Sequence, residues 1–192
     1  MRDPADFQSD TIALTPMARW NGKIRRSDLK PNLSIDPGTR ALGYAVDVGG
    51  YVIDCGLYEL NEKAGGSAAA SLAHGFKHKM QMMGITNPTT MIELPRVYRP
   101  RLMKGDANDL IALALVVGAL LTVFAPHAAF IHASDWKGQA PKDVMINRIR
   151  KRLVWGDMNG ELERTADQWG SKAHNVWDAV GIALWRCGRM EK

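Results

Sequence analysis

From residue 33 onward, apolar and polar positions fall into short alternating runs that stop at Gly or Pro, and longer runs with helical spacing lie between them. LSID at 33–36 reads as a strand halted by Pro37-Gly38. ALGYAVDV (41–48) and YVIDCGLYEL (51–60) read as two more, joined at Gly49-Gly50, a two-residue hairpin signal. A helical region covers 67–83, and TTMIELP (89–95) is a fourth strand that Pro95 must end. An apolar helix over 106–124, a fifth strand AAFIHA (128–133), a basic helix over 141–153 and a closing helix over 172–187 complete the order. No internal repeat is present.

Three antiparallel strands followed by alternating helices and strands predict an α/β domain. Its sheet is mixed and five-stranded, three antiparallel strands then two parallel, with helices on both faces. That order matches an RNase H-like fold. With 192 residues, 46% of them apolar, the chain can fill one core plus a tail but not two full domains. The expected nuclease-sized domain covers 33–192. Residues 1–32 lack a period and end in Arg19, Lys23, Arg25, Arg26 and Lys30 against Asp28 alone, which reads as a flexible basic N-terminal arm. Phosphate contact and simple solubility explain it equally well.

Lys and Arg exceed Asp and Glu by 25 − 20 = +5, a balance compatible with a polyanionic partner without requiring one. Cys55 and Cys187 are the two cysteines, with no CxxC and no His at metal spacing. A disulfide framework and a structural zinc are thereby excluded, and two buried free thiols in a reducing compartment are expected. MRDPADFQSD at the start has no apolar run of a secretory signal. The uncharged stretch 110–125 falls short of the roughly 20 residues a bilayer requires and meets Pro126, so a buried helix and no membrane are expected. Asp106 and Asp109 open that helix at capping-box spacing, and helix capping is the preferred role. A cytoplasmic location follows.

Three acids stand where a core would hold apolar side chains. Asp36 ends the apolar LSI, Glu93 lies between Met91-Ile92 and Leu94-Pro95, and Asp178 between Val176-Trp177 and Ala179-Val180. A carboxylate buried alone is costly, so each needs a cation, donors or a metal. Converging from two strands and a helix, they make a hard oxygen site suited to Mg²⁺ or Mn²⁺. Two such ions can activate water and stabilise the leaving oxygen in phosphodiester hydrolysis. The plainer alternatives are a turn-forming Asp36 and an Asp178 paired with Lys172 or Arg186. His174, four residues before Asp178, lies on the same helix side and suits a helper ligand or proton transfer. A surface histidine is the rival reading, and Asn175 is a weaker oxygen ligand on that side.

LSIDPGTRALGYAV followed by YVIDCGLYEL resembles the opening of RuvC-type Holliday junction resolvases, particularly the bacteriophage relatives. MIELPRVY resembles the second-acid strand and HNVWDAVGIALW the final acidic helix. KGDANDLIALALVVGAL and SDWKGQAPKDV are similar to the helix and post-strand loop of the phage-type members. The likeness runs over 33–188. It implies that Asp36, Glu93 and Asp178 are the catalytic, metal-binding acids, two Mg²⁺ or Mn²⁺ ions per site, a homodimer, and paired symmetric nicks across a four-way junction. Where members of the family place an acid or His three residues before the last acid, this chain has Asn175. The fourth ligand is then His174, one position further back and the favoured choice, or Asn175 itself. Phage origin, which would put the protein in a host cytoplasm, rests on analogy.

Basic segments flank the acids. Arg96, Arg99, Arg101 and Lys104 follow Glu93, and Lys137 and Lys142 open a stretch that continues through Arg148, Arg150, Lys151 and Arg152. These are candidates for phosphate contact and junction-shape recognition. By the family resemblance, Tyr98 is the aromatic that inserts where strands cross. Trp136 stacks on nucleic acid or positions Lys137, with core packing an equal alternative. Two rivals to a branched-DNA resolvase share these features: a YqgF-like nuclease for RNA or RNA–DNA hybrids, and a non-catalytic binder of branched DNA.

Overall fold

The structure is a computed structural model that describes residues 30–59, 66–95, 107–138 and 140–190. Five strands, β1 (Asn32–Asp36), β2 (Ala41–Val48), β3 (Tyr51–Glu59), β4 (Thr89–Leu94) and β5 (Ala128–His132), form one sheet in the order β3-β2-β1-β4-β5. β2 runs antiparallel to both β1 and β3, whereas β4 runs parallel to β1 and β5 parallel to β4. This is the RNase H-like arrangement the element order implied. Gly49 and Gly50 at the β2–β3 turn have φ of 60° and 88°, the left-handed pair a tight hairpin turn requires.

The two-residue side-chain period of each strand sorts the sheet into two faces. Leu33, Ile35, Leu42, Tyr44, Val46 and Ile92 point to one face, where helices α1 (Ser67–Met82) and α2 (Ala107–Phe124) cover them. Ala41, Ala45 and Ile131 point to the other, beneath α4 (Lys142–Arg150), α5 (Leu162–Asp167) and α6 (Ala173–Arg186). Asp36 and Glu93 continue the α6-side set, two residues beyond Ser34 and Met91. The floor under α6 is built of small side chains, so the helix lies close. A Cβ added at Gly43 of β2 would fall 1.9 Å from the backbone oxygen of Asn175 in α6.

Two buried acids anchor the end of the sheet remote from Asp36. Asp47, fully buried, pairs with Arg186 at the end of α6 and accepts from Asn32 Nδ2 at 2.9 Å. Asp157 accepts from the backbone N–H groups of Val52 (3.0 Å) and Val154 (2.9 Å) and from Arg189 (2.8 Å).

Several sequence expectations change here. The apolar helix is not wholly buried: Ile111 is 61% and Leu115 47% exposed, and Gly118 faces open space. One side of α2 packs on α1 and the sheet, and among the described residues Ile111 and Leu115 on its opposite side stay exposed. The basic helix ends at Arg150, and α5 lies in the stretch before α6 for which the sequence pattern assigns no element. A further single turn, α3 (Ala133–Trp136), follows β5 directly. The thiols are both free, but only Cys55 is buried; Cys187 is partly exposed. The proposed arm falls mostly on residues 1–29, outside the described residues, and β1 already begins at Asn32. Among the described residues, no helix is long and apolar enough to cross a membrane.

Candidate metal centre

Register brings the three acids together. Ile35 of β1 pairs with Ile92 of β4, so the next residues, Asp36 and Glu93, lie side by side at the C-terminal ends of adjacent parallel strands. α6 crosses above them and supplies Asp178. One carboxylate oxygen from each of Asp36, Glu93 and Asp178 lies within 4.8 Å of the other two, and all three residues are half-buried.

A cation from the chain itself sits among them. Lys137, the residue after α3, places Nζ 2.7 Å from Asp178 Oδ2 and 3.1 Å from Glu93 Oε1. The neighbouring Trp136 donates its indole N–H to Glu93 Oε2 at 3.0 Å. The short α3 turn, in which Asp135 accepts from the His132 backbone N–H at 3.1 Å, aims both side chains inward.

The electrostatics follow from this crowding. Burial, then the charges of Glu93 and Asp178, push the Asp36 carboxyl well above its ordinary range, with Lys137 opposing. Burial also raises Glu93; Lys137 pulls it back and Asp178 pushes it up again. For Lys137 burial disfavours the charge, but Asp178 and Glu93 outweigh it and hold the ammonium above its usual value. Three ionised carboxylates against one ammonium leave a formal −3 + 1 = −2. A half-buried oxygen-only donor set with that deficit fits hard divalent ions such as Mg²⁺ or Mn²⁺.

The remaining predicted residues divide. His174 is not in the carboxylate group; its Nδ1 lies 2.9 Å from the Ser171 carbonyl oxygen. Since a carbonyl only accepts, Nδ1 is the donor in this contact, and Nε2 is the ring nitrogen left for other partners. The Asn175 side chain lies by the turn after β1, its Nδ2 3.7 Å from where a Cβ on Gly38 would stand. Of the readings for Trp136, core packing is what the structure shows: it is 3% exposed, under α6, and the Lys137 ammonium lies 4.9 Å from its ring centre. The Lys137 ammonium is turned into the acidic centre, between Glu93 and Asp178. Lys142 is exposed at the first residue of α4. Arg96, Tyr98, Arg99, Arg101 and Lys104 lie outside the described residues. The alternative partners for Asp178 are engaged elsewhere, Lys172 with Glu59 and Arg186 with Asp47.

Sequence reasoning missed the inward turn of Trp136-Lys137. The signal available was an aromatic and a Lys immediately after a strand that lies beside the Glu93 strand.

No family model matches the chain, and no curated protein matches it. Among solved structures it is similar to Thermus thermophilus RuvC, with 16% identity and a TM-score of 0.52 over 84% of this chain and 98% of that one. T. thermophilus RuvC in complex with Holliday junction substrate gives 14% identity and a TM-score of 0.46 over the same shares. A ROK hexokinase from Thermus thermophilus gives 11% identity and a TM-score of 0.38, over 68% of this chain and 40% of that one. The chain thus has a RuvC-like fold, and the ends of two of its parallel strands carry an acidic group able to hold metal.

Proposed function

We propose that the protein is a divalent-metal-dependent endodeoxyribonuclease that resolves four-way (Holliday) junctions and other branched DNA by paired symmetric nicks. The observation that carries the proposal is the convergence of Asp36, Glu93 and Asp178 from β1, β4 and α6, with their oxygens within 4.8 Å. The RuvC-like fold and the acid motifs in the sequence support the same reading.

Asp36, Glu93 and Asp178 would hold two Mg²⁺ or Mn²⁺ ions, whose chemistry is to activate water and offset charge on the phosphodiester and its leaving oxygen. Trp136 orients Glu93 through its indole N–H. Lys137 supplies a compact positive charge with three donors, suited to a non-bridging phosphate oxygen. His174, one turn before Asp178, offers Nε2 for ligation or proton transfer. Lys142, with Arg96, Arg99, Arg101 and Lys104, would contact phosphates, and Tyr98 would enter the crossover.

Paired nicks require two sites related by symmetry. The exposed apolar stripe of α2, with Ile111 and Leu115 beside the open Gly118, is the surface we assign to pairing two copies about a two-fold axis.

The test is cleavage of a substrate panel in Mg²⁺ and in Mn²⁺: an immobile four-way junction, a Y-fork, linear duplex and an RNA–DNA hybrid. Cutting confined to branched DNA is the expected result. Cutting of the hybrid alone would transfer the protein to RNA processing, and tight junction binding with no cut in either metal would make it a binder.

A further inference from the structure

Glu93 has two oxygens, and the structure gives them different neighbours. Oε2 accepts the Trp136 indole N–H at 3.0 Å, whereas Oε1 faces the Lys137 ammonium at 3.1 Å, the cation shared with Asp178. Oε2 thus already carries a neutral donor, whereas Oε1 faces the charge that Glu93 shares with Asp178.

The indole that makes this division is itself immobilised. Trp136 is 3% exposed, and its six-membered ring lies over Gly181 of α6, where an added Cβ would come within 2.3 Å of the ring. Gly181 is three residues beyond Asp178. On the other side, three residues before Asp178, the Asn175 backbone rests on Gly43 of β2. Asp178 is thus held between two close approaches, and the ring that forms one of them also fixes Glu93.

We propose that Trp136 is a positioning residue that selects the metal, by confining Glu93 to one-oxygen ligation. This rests on the metal-centre reading above and deepens it. Mg²⁺ requires near-octahedral geometry and takes carboxylates through single oxygens. Ca²⁺, larger and of higher coordination number, gains from bidentate carboxylates. A bidentate grip by Glu93 would have to break or share the indole bond at Oε2, and that cost falls on Ca²⁺ alone. Trp136 then discriminates between the ions without touching either.

The experiment measures bound Mn²⁺ by electron paramagnetic resonance and displaces it with Mg²⁺ or Ca²⁺, in the wild-type chain and in Trp136→Phe. Phe keeps a buried aromatic ring at this position and removes the donor. The preference for Mg²⁺ over Ca²⁺ is expected to fall about tenfold, the weight of one hydrogen bond to a charged group. Alongside it, the Trp136 indole ¹⁵N–¹H resonance of the wild-type protein should hold its shift on Mg²⁺ addition and move on Ca²⁺ addition. An unchanged Mg²⁺/Ca²⁺ ratio in Trp136→Phe, or an indole signal that responds identically to both ions, overturns the inference and leaves the metal centre standing. Absence of any Mn²⁺ binding that depends on Asp36 in the wild-type protein overturns both.

Discussion

Asp36 sits where its charge is least favoured, because burial and two neighbouring carboxylates all raise its pKa and Lys137 only partly compensates. A carboxyl whose folded-state pKa is raised contributes its full stability below the unfolded value of about 3.9, and that contribution is lost as pH rises through the folded value. Asp36→Asn removes the loss. In chelator, the variant should therefore melt higher than wild type at pH 7, by about 2–4 °C for each kcal/mol of repulsion relieved, and the gain should vanish near pH 3. The same variant should lose the Tm increase that Mg²⁺ gives the wild type. Thermal melts across pH, with and without metal, check both.

Lys137 makes the opposite prediction. Its raised pKa means that the stability it contributes is fully present at neutral pH, below the unfolded value of about 10.4. Lys137→Met should cost about 2 kcal/mol in chelator, since it leaves Glu93 and Asp178 without their cation. The Mg²⁺-induced rise in Tm should become larger, because the competing ammonium is gone. An unchanged melt in chelator would contradict the ion-pair geometry.

How much was legible at this scale depends on the residue. The apolar setting that singles out Asp36, Glu93 and Asp178 also surrounds Asp47 in YAVDV, yet Asp47 is a structural acid. The difference lies in the partner: Asp47 meets an Arg and an Asn, whereas the three site acids meet one another and one Lys. Sequence context signals burial of an acid but not its company. The contacts of Trp136 with Glu93 and of Lys137 with Glu93 and Asp178 were not legible for the same reason, since nothing in the local sequence says which acids the turn after β5 meets.

At the scale of elements, α6 is the part on which the site depends most. It holds Asp178 over the sheet only because Gly43 and Gly181 lack side chains and because Arg186 ties its last turn to Asp47. Gly43→Ala has no room against Asn175, so it should destabilise the protein by about 2 kcal/mol or more and weaken metal binding by displacing Asp178. Arg186→Met should cost about 3–5 kcal/mol, the penalty for leaving a fully buried carboxylate unpaired, as read by denaturant unfolding. The strands and the long helices were legible from periodicity and Gly/Pro punctuation. α3 and α5, four and six residues long, carry too few turns to show a period, and both were missed.

The two faces of the sheet differ in character. The α6 side carries the acids, and the opposite side carries α2 with its exposed Ile111 and Leu115. An apolar stripe of this kind reads in sequence as a buried helix, since hydrophobicity does not say whether the cover comes from the same chain or from another. If the stripe pairs two copies, Leu115→Lys should convert a dimer to a monomer in sedimentation, without loss of the fold, and should uncouple the two nicks at a junction. A wild-type chain that is monomeric at micromolar concentration would contradict that assignment.

The measurement that bears most directly on the whole account is mapping of the cuts made in an immobile four-way junction in Mg²⁺ by the wild-type chain and by Asp36→Asn. The account predicts nicks at symmetry-related positions in two opposed strands, abolished in the variant while junction binding persists. Cleavage retained by Asp36→Asn, or scattered equally over linear duplex, would contradict it.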